Sequence, residues 1–353
     1  EVEAPAQIKV AGLSVLKRLV LGACQAGFRQ ITIRASNSGS IAHELRKDSR
    51  TRGVTISSNP DESDSPRVVV EANVVISNEV WNSLAKSTGN LDISSAPKLK
   101  VVDFLSDATE EPGLGGSAYV IPVCSKDEAA AAKKAIFGNV TKKTSGPVSK
   151  HFNALFSRPL SKFLCELGVT PNQMTLVTAI IGLMSAWIVS QGTFATLALA
   201  GILFQLCAVL DKVDGELARS TFTASEWGAW IDTIGDNVVY LAFIVGLIAG
   251  YHEYTSSQGL AVAEYVYPVG SATLTLAVCL IAGMGIYLKL NTKAGSMTFV
   301  QSDMAQRVDR QQAGWVYRFL DAIHLLGKRD SFSLITCIIA ISPWLTGNPF
   351  GYH

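Results

Sequence analysis

Charge is scarce in this chain, and balanced where it occurs. Lys and Arg number 30 against 29 Asp and Glu, a net charge of +1, and charged residues are only 17% of the 353. There is no basic excess of the kind that nucleic-acid recognition requires, so no nucleic-acid partner is expected. The six cysteines, Cys24, Cys124, Cys165, Cys207, Cys279 and Cys337, form no Cys-x-x-Cys pair or other metal-ligand spacing. This pattern argues against a zinc module and for reduced, buried thiols.

What is plentiful is apolar. Hydrophobic residues make up 48%, while the polar residues concentrate before about residue 165. The chain therefore divides into a soluble part and a membrane part. Apolar runs of roughly 18 to 25 residues mark membrane spans. By that measure spans are expected over 172–190, 194–219, 227–250 and 267–288, with a fifth beginning near Ser331 and fading between Ser342 and Leu345.

Basic residues orient the bundle. Lys142, Lys143, Lys150, Arg158 and Lys162 precede the first span, and Lys289, Lys293, Arg307, Arg310, Arg318, Lys328 and Arg329 fill the loop between the fourth and fifth. The short loops 191–193 and 251–263 carry none. The positive-inside rule places the N-terminal region on the cytoplasmic side.

Four aspartates interrupt this apolar stretch, in the series Asp211-x2-Asp214-Gly215-x2-Ala218-Arg219-x8-Gly228-x3-Asp232-x3-Asp236. Carboxylates at membrane depth are rare and costly. Asp211, Asp214 and Ala218 share one helix face, as do Gly228, Asp232 and Asp236. Two antiparallel helices joined by the loop 220–226 would aim all four acids at one spot, where they repel one another unless a cation neutralises them. The ligands are hard oxygens with no Cys or His in the motif, which suits Mg²⁺ or Mn²⁺ rather than zinc. A transporter with buried acids for a coupling ion is the competing reading. It has no need of the glycines or of an arginine directly after a small alanine.

All eight fixed positions of this series match the signature of the CDP-alcohol phosphotransferases, which the chain resembles. These are integral membrane enzymes of phospholipid synthesis. The resemblance implies an all-α polytopic helix bundle that transfers a phosphoalcohol from a CDP-alcohol to an acceptor hydroxyl and releases CMP. It implies Asp211, Asp214, Asp232 and Asp236 as metal ligands, with Asp236 as general base. Gly215, Ala218 and Gly228 would let the nucleotide approach the helix backbones, and Arg219 would hold phosphate. The entry Thr170-Pro-Asn-x-x-Thr175 also resembles the family's first helix; Asn172 and Thr175 either touch the nucleotide or serve the helix start, with Thr170 as its cap. Lys328 and Arg329 either bind a phosphate or anionic lipid of the acceptor or only enforce topology. Asn237 stands where many members carry a basic residue. Members are commonly homodimers. They usually have six membrane helices, so a sixth helix is expected to be missing here and both ends to be trimmed.

Residues 136–170 read as a linker and an amphipathic, basic helix, Val148 to Leu167, suited to the headgroup plane of a lipid leaflet. Residues 171–353 are the membrane domain. Residues 1–135 read as a soluble α/β domain: a helix from Leu13 to Ala26, strands at 30–34, 68–76, 98–103 and 118–123, and a helix from Asn78 to Ala85, which together predict a mainly parallel sheet. The runs Val10–Arg18, Ala26–Ile33 and Val68–Val75 make this domain resemble the sugar-nucleotide-type nucleotidyltransferases. It departs from them in lacking a Gly-rich phosphate loop near its start. It also has Asn73, two residues from Glu71, where a metal-binding aspartate belongs. A degenerate domain used for docking or regulation is expected; the alternative is a bifunctional enzyme that also makes its own CDP-alcohol.

Overall fold

The computed structural model describes residues 7–33, 38–57, 68–70, 72–89, 99–100, 118–141, 146–291 and 329–345. Two compact units emerge. One comprises Glu1–Val140 with Cys165–Gly168 and Arg219–Thr223, and the other the remaining residues.

The first unit mixes short strands and helices. A tight turn joins β1 (Lys9–Val10) to β2 (Leu13–Ser14), with Ala11 and Gly12 at φ 48° and 75°. A side chain at Gly12 would stand only 2.8 Å from the carbonyl of Cys165. Ser14 caps α1 (Val15–Gln25), accepting a hydrogen bond from the Lys17 amide. The helix ends at Ala26 and Gly27, where the left-handed φ of 97° favours glycine. Then come β3 (Gln30–Thr32), α2 (Ser38–Lys47), a 3₁₀ turn at Ser49–Thr51, and β4 (Thr55–Ser57), which pairs parallel with β3. Val20, Ile33, Ala42, Leu45 and Ile56 form the core between them.

The long strand expected at 68–76 is broken. It appears as β5 (Val68–Val69) and β6 (Val74–Ile76), with a turn at Ala72–Asn73. Alanine and asparagine are weak strand formers, and asparagine favours turns. Asn73 donates from Nδ2 to Cys124 Sγ at 3.3 Å; Glu71 lies outside the described residues. After α3 (Asn78–Gly89) come β7 (Leu99–Lys100) and β8 (Val120–Pro122). Among the described residues there is no continuous parallel sheet. The strands form two-stranded pieces, with β3–β4 and β5–β7 parallel but β1–β2 and β6–β8 antiparallel. The expected strand stretches contain β3, β5, β6, β7 and β8, whereas β1, β2 and β4 were not expected, and periodicity carries no information about strand direction.

Helix α4 (Lys126–Asn139) begins in a full capping box, in which Glu128 Oε2 accepts from the Cys124 and Ser125 amides at 2.7 and 2.9 Å. These bonds hold the Glu128 carboxyl below its usual range, the Cys124 amide contributing most.

The second unit is helical. A π-turn at Ser149–Asn153 leads into α5 (Ala154–Glu166), followed by α6 (Pro171–Val189), α7 (Phe194–Ser220), α8 (Glu226–Ser257), α9 (Ala263–Asn291) and α10 (Arg329–Leu345). Pro171 opens α6 and Thr170 caps it, with Gln173 completing the box. Among the described residues, four helices are long and apolar enough to cross a membrane: Pro171–Val189, Phe194–Ser220, Trp227–Ser257 and Ala263–Gly283. The protein is an integral membrane protein. The fifth expected span differs, because the apolar part of α10, Asp330–Ser342, is too short by the same criterion.

Small residues let α6 and α8 touch. A Cβ at Gly246 or Gly250 would overlap the carbonyl oxygen of Ala186 or Val189, and one at Gly182 would overlap the Val239 side chain. Beside this seam Phe204 of α7 stacks on Phe243 of α8, ring centroids 4.0 Å apart and planes within 10°, with Phe332 of α10 edge-on to Phe204.

The helix expected to be amphipathic has distinct polar and apolar sides. Ser149, Asn153, Ser157 and Ser161, spaced by four, are buried, whereas Phe152, Leu155, Phe156, Phe163 and Leu167 are exposed. A polar stripe faces the protein and the apolar residues face outward.

Candidate active site

The motif falls on two successive helices. Asp211, Asp214, Gly215, Ala218 and Arg219 lie on the last turns of α7, and Gly228, Asp232 and Asp236 on the first turns of α8. Carboxylate oxygens of Asp211, Asp214 and Asp232 all lie within 4.8 Å of one another. Asp214 is buried; Asp211 and Asp232 are half-buried. Asp236 stands outside this group of three but acts electrostatically on Asp214, as Asp211 does.

Three negative charges this close in a partly dehydrated place are unfavourable by themselves. Hard oxygen ligands converging from two helices, one of them already hydrogen-bonded, fit a divalent cation. That bond comes from Thr175: its Oγ1 donates to Asp214 Oδ2 at 2.9 Å and lies 3.2 Å from the Pro171 carbonyl. Asn172, one turn earlier on α6, is exposed.

The other predicted residues are placed as follows. Gly215 and Ala218 are half-buried on the aspartate helix. The Gly228 amide donates to the capping hydroxyl of Ser225 at 3.0 Å, and a Cβ at Gly228 would stand equally close to that hydroxyl. Arg219 donates from Nε to the Val140 carbonyl at 2.6 Å, a bond within the first unit. Arg329 is the first residue of α10, and Lys328 lies outside the described residues. Asn237 turns back on its own helix, donating to the Thr233 carbonyl at 2.6 Å.

One set of residues was missed from the sequence. On a neighbouring face of α7, Glu216 is fully buried and accepts from Ser157 Oγ at 3.0 Å and Ser161 Oγ at 2.7 Å. Lys212, also buried, stands 3.7 Å from Glu216 and donates to Ser149 Oγ at 3.4 Å. Further up α7, Gln205 donates to Asn153 Oδ1 at 2.9 Å and accepts from Ser333 of α10 at 2.9 Å. The residues that would have signalled this are small polar ones at every fourth position from Ser149 to Ser161, and charges at 212 and 216 inside an apolar run.

The stretch that contains this site, residues 168–308, matches the family model of the CDP-alcohol phosphatidyltransferases. Residues 168–308 form a CDP-alcohol phosphatidyltransferase domain. Among curated proteins, a bifunctional IPC transferase and DIPP synthase of Thermococcus kodakarensis is 41% identical over 123 residues, 35% of this chain and 27% of that protein. The phosphatidylinositol phosphate synthase of Corynebacterium glutamicum is 30% identical over 155 residues, 43% of this chain and 64% of its own length. The archaetidylinositol phosphate synthase of Pyrococcus horikoshii is 33% identical over 91 residues, 26% of this chain and 47% of that protein. The chain thus spans about a quarter of the length of the bifunctional relatives it matches, 27% for the Thermococcus protein and 23% for one from Aquifex aeolicus. The phosphatidyltransferase domain carries the aspartate cluster, while the resemblance of residues 1–135 to nucleotidyltransferases has no support from these matches.

Proposed function

We propose that this chain transfers a phosphoalcohol group from a CDP-alcohol to an acceptor hydroxyl and releases CMP, as part of phospholipid or related polar-lipid synthesis. The observation that carries this reading is the convergence of Asp211, Asp214 and Asp232 within 4.8 Å, on helices inside the matched domain. Mg²⁺ or Mn²⁺ held there would neutralise the pyrophosphate and polarise the bond that breaks. Asp211, Asp214 and Asp232 bind the ion, and Thr175 orients Asp214 for it. Asp236, close to the group but outside it, takes the proton from the acceptor hydroxyl as that oxygen attacks phosphorus. The bond to CMP breaks as the new phosphoester forms. Arg219 holds phosphate oxygens, and Gly215, Ala218 and Gly228 leave room for the cytidine beside the helices. Asn172 contacts the nucleotide, and Lys328 and Arg329 the acceptor.

Two relatives carry inositol phosphate in their names, which makes an inositol phosphate the first acceptor to try. The basic residues flanking the spans favour a cytoplasmic site and N-terminal region. The outward apolar residues of α5, with Lys150, Arg158 and Lys162, suit a helix lying in the headgroup layer. The domain of residues 1–135 serves docking or regulation, since Asn73 is a poor magnesium ligand. A homodimer is the expected assembly.

The test is CMP release from purified protein in detergent, with a panel of CDP-alcohols and acceptors and with Mg²⁺ or Mn²⁺, beside an Asp236→Asn control. Metal-dependent release lost in the control supports the reading. Release that ignores the metal, or that persists in the control, would refute the assigned chemistry.

A further inference from the structure

The first unit contains a cavity of about 220 Å³ that the transferase chemistry does not use. Its lining includes Arg29, Arg50 and Arg52, Phe28 and Phe222, and Cys24, and it includes no acidic residue. All of these belong to one compact unit.

The cations are placed by the backbone. Gly27 and Gly53 take φ of 97° and 83°, turns that L side chains resist, and they lie beside Arg29, which directly precedes β3, and Arg52, three residues before β4. The Thr55 amide donates to the Arg29 carbonyl at 2.8 Å, tying the two segments together. A Cβ at Gly53 would lie 3.8 Å from Arg29 Nη1, so the Arg29 guanidinium rests over the turn that carries Arg52.

Arg50 is already committed. It chelates Asp48 and donates to the Thr221 carbonyl, and Lys17 also pairs with Asp48 at 2.8 Å. The guanidiniums of Arg29 and Arg52, by contrast, make no hydrogen bond or ion pair among the described residues. Arg29 and Arg52 are exposed and line one concavity that has no acid in its lining, and a guanidinium fork matches the oxygens of a phosphate group. The Cys24 thiol, pushed up by burial, stays neutral and adds no competing charge.

We propose that this cavity is an anion site, in which Arg29 and Arg52 clamp a phosphoryl or diphosphate group. The group belongs either to a small soluble phosphate or to a phospholipid headgroup, which share this chemistry. The site does not depend on the transferase reading.

The experiment uses the full chain in detergent with EDTA, so that the aspartate cluster holds no metal and repels anions, and with no CDP-alcohol present. The probe is inorganic pyrophosphate, followed by equilibrium binding. Saturable, salt-sensitive binding is expected, weakened at least about tenfold in Arg29→Gln/Arg52→Gln. The Lys/Lys double variant, which keeps charge but loses the fork, should fall between. Absence of saturable binding, or equal binding by the double variant, overturns the proposal. Should the variant unfold, protection of Arg29 and Arg52 from phenylglyoxal by pyrophosphate reads the same point on the unmodified chain, and lack of protection overturns it. Repeating the measurement in nanodiscs with and without phosphatidic acid separates the sources: competition by that lipid assigns the site to a headgroup, and undiminished binding assigns it to a soluble phosphate.

Discussion

Ser161 donates a 2.7 Å hydrogen bond to the fully buried carboxylate of Glu216, only two residues beyond Asp214 on the same helix. One turn of α7 thus carries acids with opposite fates. Asp214 converges with Asp211 and Asp232, whereas Glu216 is satisfied by Ser157, Ser161 and Lys212. The serines fix which way the helix faces, because a rotation that swings the aspartates away also strips Glu216 of its donors.

Removing Glu216 leaves the Lys212 ammonium buried without its counter-charge. Glu216→Ala is expected to destabilise the membrane unit by about 3–5 kcal/mol. Ser161→Ala, which removes one donor, should cost roughly 1–3 kcal/mol. Thermal unfolding in detergent checks both, and a Glu216→Ala midpoint equal to wild type would show that the pair does not hold the helix.

The seam of α6 against α8 predicts a different asymmetry. Gly246→Leu would drive a side chain into the Ala186 carbonyl and should prevent folding or cost several kcal/mol, roughly the upper range for overpacking. Gly138→Ala in α4, where an added Cβ meets nothing within 4 Å, should stabilise by about 0.5–1 kcal/mol. Thermal midpoints of the two variants against wild type decide it; equal effects would refute the packing argument.

How much of this was legible depends on what each residue pattern encodes. The spans over α6, α7 and α8 follow from length and apolarity, and the spacing of Asp211, Asp214 and Asp232 follows from helix geometry; both are local. The packing of Ser157 and Ser161 of α5 on Glu216 was not read, because an amphipathic pattern shows which residues share a side but not what the polar side packs against. The break between Val69 and Val74 was hidden because a run of apolar residues does not reveal where a strand bends. Helix α4 was overlooked although Ser125 and Glu128 spell a capping box. Glu216 depends on Ser157 and Ser161, 59 and 55 residues away; the four-residue spacing of small polar residues marks one polar side there, but it does not name the acid that this side meets.

In the first unit, Asp48 is chelated by Arg50 and paired with Lys17, and these bonds, the Arg50 hydrogen bond foremost, hold its carboxyl well below the usual carboxylate range. Folding therefore favours the ionised form. The resulting stability is fully present above about pH 4, the ordinary aspartate value, and is lost as pH falls through the depressed folded value. Asp48→Asn should lower the midpoint at neutral pH and flatten its acid dependence between about pH 4 and 2. Thermal unfolding across that window tests it; an acid slope as steep in the variant as in wild type would assign the dependence to other groups.

Thr175 has two acceptors and one proton. Its hydroxyl lies 2.9 Å from Asp214 Oδ2 and 3.2 Å from the Pro171 carbonyl, so it either orients a metal ligand or merely satisfies the helix start. The start of α6 is already served by Thr170 and Gln173, which complete a capping box without it. Thr175→Val keeps the shape of the side chain and removes only the donor, so the fold should survive with a loss of about 1 kcal/mol. If the hydroxyl orients Asp214, Mn²⁺ affinity should fall about tenfold, the lower range for a residue that positions a metal ligand. Asp232→Asn, which removes a ligand outright, should abolish binding. Titration of Mn²⁺ by electron paramagnetic resonance distinguishes the cases: unchanged affinity in Thr175→Val, with Asp232→Asn silent, would leave Thr175 a bystander to the cluster and restore the helix start as its only role.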